Sequence, residues 1–237
     1  MSGLDDSINK ADYAVKLEAL YAEIGKTTLA FGAFDTGFVL LLQSILSMSG
    51  TAKNSVIAST IVFQAKSFDQ KKEIISRIFK ARFEDYYHAP RHTNQRRAIE
   101  QTEKMLNAIF SSINKNKWIR NICAHGNIMN SNGEPHLTPS MLDMNSWERH
   151  EIRGFRTFEK GITRQEIEKH RAPIDSDFKN LLKLGEVVDK LFICVQYPEV
   201  FLEISNALAR DLGVSQIHLQ DPTRGRPMRQ KREKHRR

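Results

Sequence analysis

Between residues 13 and 48, apolar side chains recur at helical intervals: Leu17, Leu20, Ile24, Leu29, Phe31, Phe34, Phe38, Leu41, Leu42 and Ile45. A period near 3.6 sustained that far selects one long helix, and an apolar stripe of that length must be covered by other elements. Gly25, Gly32 and Gly37 are its weak points, where it can bend. The rest of the chain supplies further helices. After a Ser-Gly-Thr break at 49–51, a segment over 56–83 carries Ile61, Phe63, Phe68, Ile74, Ile75, Ile78 and Phe79. Its middle, Ser67-Phe68-Asp69-Gln70, reads as a junction between two helices, with Ser67 as the cap. A polar connection through Pro90 leads to a third long helix over 94–125. Its stripe is Ile99, Leu106 and Ile113 with Met105, Ile109 and Phe110.

The pattern then changes. Residues 130–161 are rich in Asn, Ser, Pro and Gly, with Ser131-Asn132-Gly133 as a turn and a short hairpin expected over 135–142 or 151–158. Thr163-Arg164-Gln165-Glu166 is a capping-box sequence that restarts helix. The pattern stops near Pro173 and resumes from an Asp175/Ser176 cap through Leu181, Leu184, Val188, Leu191, Phe192 and Val195. Pro198 opens a last helix to about 212. No Gly-rich phosphate loop and no alternating strand series is present, which leaves nucleotide-binding α/β folds without support. The expectation is an all-α, up-and-down bundle spanning 1–222 as one domain, with an irregular insertion at about 130–161.

The net charge of +8 suggests nucleic acid until it is located. Residues 223–237 hold eight Lys/Arg against the single acid Glu233, so the remaining 222 residues carry only +1. Such a tail cannot bury apolar surface and is expected to be disordered. It reads either as a solubilising terminus or as an arm in which Arg224, Arg226, Arg229, Lys231 and Arg232 attract RNA through salt-sensitive forces. The two cysteines, Cys123 and Cys194, lack CxxC or zinc spacing, so neither a disulfide, a metal nor another cofactor is expected. The first residues do not form a secretory signal. The apolar run 38–46, interrupted by Gln43 and Ser44, falls short of the ~20 residues of a membrane span. A cytoplasmic protein is expected.

The chemistry concentrates in Arg120-Asn121-Ile122-Cys123-Ala124-His125-Gly126, at the end of the third long helix. On a helix Asn121 and His125 lie about 40° apart, and Arg120 about 140° from His125, within reach of a long side chain. A guanidinium holds phosphate through two parallel hydrogen bonds, and an imidazole exchanges protons near neutral pH. Those are two main requirements for cutting an RNA phosphodiester. The heptad step Ile99, Leu106, Ile113 lands next on Arg120, which points that side chain toward packed protein. Gly126 ends the helix as a residue past the cap, and a histidine in the last turn suits the helix dipole. Arg82 to His88 and Arg164 to His170 have nearly the same spacing, but only Arg120 is followed by Asn and closes on Ala-His-Gly. Cys123 reads as a small packed residue rather than a nucleophile, and Trp118 as a core or dimer contact. Lys66 and Lys117 are within possible reach of the same cleft. The remaining histidines, His88, His92, His136, His150 and His170, have no ligand-spaced carboxylates or cysteines around them.

Three long helices, the third closed by Arg-Asn-x3-His-Gly, with a further long helix after it, resemble the HEPN superfamily of helical domains over roughly residues 11–196. The resemblance implies an up-and-down bundle that forms a homodimer, with the two Arg/His sets facing one cleft. It also implies metal-independent ribonuclease activity, often in toxins or phage-defence systems, with RNA as substrate and an antitoxin or regulatory protein as a possible partner. Arg120, Asn121 and His125 take the motif positions, and Asp35 on the first helix falls where many members place an acidic residue. The alternative reading is a non-catalytic dimeric module that binds RNA or protein, in which the Arg/His set serves packing.

Overall fold

The computed structural model describes residues 2–46, 52–88, 93–138, 161–191 and 198–216. Within them the chain is a helical bundle with one two-stranded hairpin. In chain order the elements are α1 (Ser2–Ile45), α2 (Ala52–Gln64), α3 (Phe68–Arg82), the single turn α4 (Glu84–Tyr87) and α5 (Asn94–His125). The hairpin strands β1 (Asn127–Ser131) and β2 (Glu134–Thr138) follow, then α6 (Arg164–Leu191) and α7 (Pro198–Asp211). The basic tail, most of the expected insertion and residues 192–197 lie outside the described residues.

The long helices form the core. Along α1 and α6 the contacts advance together, from Glu23 with Arg171 to Phe34 with Phe178, so these two helices run parallel. Along α5 they run backwards, Phe110 meeting Phe38 while Ser112 meets Asp177 and Trp118 meets His170. Alternating directions let α5 wedge its stripe of Ile99, Leu106, Ile109, Ile113, Ile119 and Ile122 between α1 and α6, all of it buried. Phe38, Phe68 and Phe110 meet with ring centroids 5.9–6.1 Å apart, the separation at which aromatic pairs attract.

Several sequence expectations need correction. Helix α1 passes through all three glycines without interruption and begins well before residue 13. Gly37 is a contact point rather than a hinge, since a Cβ there would stand 2.7 Å from a methyl of Leu181. Helix α5 runs the full 94–125 as expected. Pro173 lies inside α6 and does not end it. A proline removes one helix hydrogen bond, but Ile167 and Ile174 on either side of it are both fully buried. The Arg171–Asp175 pair, 2.6 Å apart, also spans the proline, so packing outweighs the lost bond. The hairpin begins eight residues before the first expected position, 135–142, and the second, 151–158, lies outside the described residues. It starts one residue after the motif and turns at Asn132 (φ 54°) and Gly133 (φ 80°), the two left-handed residues of a type I′ turn. The membrane expectation changes too. Helix α1 is long and apolar enough to cross a membrane by length and composition, although 39 % of its most apolar stretch is buried inside the fold.

The junctions follow their sequence signals. The Ser67 hydroxyl accepts from Gln70 N–H at 3.2 Å, opening α3. Before α6, Thr163 Oγ1 accepts from Glu166 N–H at 3.3 Å while Glu166 Oε2 accepts from Thr163 N–H at 2.8 Å. That reciprocal pair is the capping box.

Candidate functional site

The motif occupies the last turn and a half of α5. Ile119 and Ile122 point inward and are fully buried, which turns the intervening positions outward. Arg120, Asn121 and His125 are all exposed. Arg120 therefore does not point into packed protein, because the 3.6-residue helix drifts about 20° per heptad from the stripe that Ile99, Leu106 and Ile113 mark. Its guanidinium Nη1 donates to Asn121 Oδ1 at 3.3 Å. That contact draws the arginine toward the amide, which itself lies about 40° around the helix from His125. Among the described residues no acidic side chain pairs with Arg120, and no hydrogen bond or ion pair holds His125.

Behind this face the helix is fixed rigidly. Cys123 sits against Thr27 of α1, and burial pushes its thiol up to about 12, so it is a packing residue and not a thiolate nucleophile. Gly126 caps the helix, its N–H donating to Ile122 O at 2.7 Å. Its backbone is extended (φ −75°, ψ 160°), not left-handed as expected for a residue past the cap. Glycine is required for space instead: a Cβ there would stand 2.6 Å from Ile122 O and 2.7 Å from Thr138 O. The chain thus leaves His125 directly into β1, and Asn127 pairs with Thr138.

The charges around the motif are one-sided. From Lys104 to Gly133 the sequence holds Lys104, Lys115, Lys117 and Arg120 and no Asp or Glu. Lys117, one turn before Asn121, meets Asp69 at the start of α3 at 3.3 Å. Asp35, the accessory acid suggested by the resemblance, is paired with Lys71 of α3. Lys66 is exposed, and its backbone N–H bonds Gln70 Oε1 at 2.8 Å. The rival spacings are placed differently. His170 packs edge-on against Trp118 with ring centroids 4.8 Å apart, and burial and then Lys169 lower its pKa. His88 is exposed beyond α4, far along the chain from the motif helix end. His136 Nδ1 lies 2.9 Å from the Glu134 carbonyl oxygen, on the hairpin. His92, His150 and the tail arginines lie outside the described residues. Among the described residues no group of three His, Cys, Asp or Glu side chains is placed to hold a metal ion.

One polar cluster has a weak sequence signal. Ser112 and Asn116 precede Arg120 at successive four-residue steps, so polar residues run up one edge of an otherwise apolar stripe. Ser112 Oγ donates to the buried carboxyl of Asp177 at 2.7 Å, and Asn116 Nδ2 donates to Ser112 O at 3.0 Å. Burial pushes the Asp177 carboxyl up to about 6 against the opposing hydrogen bonds from Ser112 and Asn116. Comparison with protein-family models, with curated proteins and with solved structures finds no match.

Proposed function

We propose that the chain is a metal-independent endoribonuclease of the HEPN type, working in the cytoplasm as a homodimer on RNA bound across the exposed end of α5. One observation carries this reading. Arg120, Asn121 and His125 stand together in solvent, free of acidic partners among the described residues, on a thirty-residue stretch that contains no acid. A merely structural Arg/His set would be held in ion pairs against the fold, as half-buried Arg171 is on buried Glu23.

RNA carries its own nucleophile, so the protein needs proton transfer and charge stabilisation. His125 takes the proton of the 2′-hydroxyl as its oxygen attacks phosphorus, and His125 of the partner subunit returns a proton to the departing 5′-oxygen. Arg120 grips the non-bridging phosphate oxygens with its two-pronged donor set and offsets their growing charge. Asn121 holds Arg120 through its Oδ1, and its amide N–H donors remain available to a phosphate oxygen. The direct test is incubation of the purified protein with total RNA in chelator beside a His125→Ala control. Cleavage by the wild type alone is expected, and equal cleavage by both would remove the assignment.

A further inference from the structure

Trp118 stands seven residues before His125 and three before Asn121. On a helix the indole and the imidazole therefore lie about 20° apart, roughly 10 Å along the axis, with the Asn121 amide between them. The face they share looks toward α6. Ser112 meets Asp177 and Trp118 meets His170, each step along α5 matching a step back along α6. Carried on to the end of α5, the same pairing brings His125 level with Thr163, where α6 starts.

The core rings Phe38 and Phe110 are enclosed completely, but Trp118 is only half-buried. Part of the indole packs against the core, and the rest stays in water beside the motif. The His170 ring meets it edge-on, with centroids 4.8 Å apart and planes inclined at 77°, which holds the indole in one orientation. Charge divides the two flanks of the motif. Arg120 supplies the cation on one. On the other, Glu166 shares an edge of α6 with His170, its carboxylate accepting from the N–H and hydroxyl of Thr163. Burial and then Lys169 keep His170 toward its neutral form. A phosphate is drawn to the Arg120 flank and repelled by Glu166, whereas an uncharged base is admitted beside Trp118.

We propose that Trp118, steadied by His170, is the surface on which a nucleobase of the bound RNA stacks while Arg120 holds a phosphate. The inference rests on reading this face as an RNA site, and it assigns the part of the face that the Arg/Asn/His motif leaves open. Every base has a flat π face, so such a platform grips single-stranded RNA without selecting sequence. At 3.4 Å per stacked nucleotide, the ~10 Å from indole to imidazole puts the stacked base within about three nucleotides of the cut.

Fluorescence titration of the full chain tests it. The chain has two tryptophans, Trp118 and Trp147, so comparison with Trp118→Phe isolates the emission of Trp118. The probes are a mixed-sequence 2′-O-methyl RNA decamer, which lacks the free 2′-hydroxyl needed for cleavage, and an abasic decamer with the same phosphates. The mixed decamer should quench the Trp118 emission and the abasic one should not. Trp118→Phe should bind the mixed decamer within ~3-fold of wild type, and Trp118→Leu about 5- to 150-fold more weakly. Binding of the abasic decamer should be the same in all three proteins, which a general packing defect would not spare. Absence of Trp118 quenching, equal quenching by the abasic decamer, or Trp118→Leu binding the mixed decamer like wild type would each overturn the platform. If Trp118→Leu loses its helical circular dichroism, the quenching comparison decides alone. Cleavage of total RNA without Trp118 quenching would remove the platform and keep the ribonuclease. Quenching without cleavage would keep the platform on a chain that only binds RNA.

Discussion

The Nε of Arg171 on α6 donates to the buried carboxylate of Glu23 on α1 at 2.6 Å, 148 positions away in sequence. The same guanidinium reaches Asp175 through Nη1, also at 2.6 Å. Burial by itself would raise the Glu23 pKa, and the Arg171 bond and charge more than offset it, so the carboxylate is held below its usual range. The Glu23 charge also acts on Cys123 of α5, so this pair ties α1 to α6 near the end of α5.

Removing the arginine leaves a buried charge without its main partner. Arg171→Ala should therefore destabilise the fold by about 2–4 kcal/mol, measured by urea unfolding at pH 7, and Glu23→Gln by less. A lowered carboxylate pKa contributes stability above the unfolded value of 4.5 and loses it as pH falls through the folded value. The gap between wild type and Glu23→Gln should accordingly close as the unfolding series is taken below pH 4. A gap that stayed constant with pH would show that the pair contributes no charge-dependent stability.

Asp177 predicts the opposite slope. Its carboxyl is raised from 3.8 to about 6, so between those values the folded chain keeps a proton that the unfolded chain has released. Stability from this group is full below pH 4 and is lost as pH rises toward 6. Asp177→Asn keeps an acceptor for the Ser112 hydroxyl and removes the ionisation. It should be more stable than wild type at pH 7 by on the order of 1–3 kcal/mol, with the difference vanishing near pH 4. Equal pH slopes in the two proteins would show that Asp177 ionises in the fold without penalty.

Much of the bundle could be read from the sequence because its signals are local. The stripes of α1 and α5, the Ser67 cap and the Thr163–Glu166 capping box each need only residues within a few turns. What the sequence misplaced depended on distant partners. Pro173 ends a helix by local rules, but the burial of Ile167 and Ile174 against the bundle carries α6 through it. Gly126 looked like a conformational cap, whereas the reason for it is Thr138 O on a strand twelve positions later. A strict heptad places Arg120 inward, but over three heptads the slightly longer period of the α-helix turns it out of the stripe. Arg120, Asn121 and His125 are legible in the sequence as residue types in an order, and their exposure is not.

Gly126 joins the motif to the hairpin, and its substitution should separate folding from function. A Cβ would clash with Ile122 O and Thr138 O, both backbone atoms that cannot swing away. Gly126→Ala should cost about 1–3 kcal/mol, because the helix end and the first strand pair must shift apart. Since His125 is the adjacent residue, RNA cleavage should fall further than the unfolded fraction accounts for. A variant of full stability and full activity would show that the backbone moves aside without disturbing the histidine.

The basic tail should act on association alone. Deleting residues 223–237 removes +7 of charge and none of the motif. RNA binding at low salt should weaken, and the dependence of log Kd on log salt should flatten, while cleavage at saturating RNA persists. Binding unchanged by the deletion would make the tail a passive terminus.

The chemistry of the cut gives the most specific prediction. If the 2′-hydroxyl is the nucleophile, the products carry 2′,3′-cyclic phosphate and 5′-hydroxyl ends, cleavage survives chelator, and a 2′-deoxy sugar at the cut resists. Because Arg120 and His125 are exposed, His125→Ala and Arg120→Ala should each slow single-turnover cleavage by ~10²-fold or more with unfolding midpoints unchanged. Arg120→Lys should recover little, since an ammonium keeps the charge but loses both the two-pronged grip on phosphate and the planar contact with Asn121 Oδ1. Full activity in both alanine variants, or 5′-phosphate products that require magnesium, would sink the ribonuclease assignment. The exposed Arg/Asn/His face would then be a binding surface, and its loss should be read in RNA affinity instead of rate.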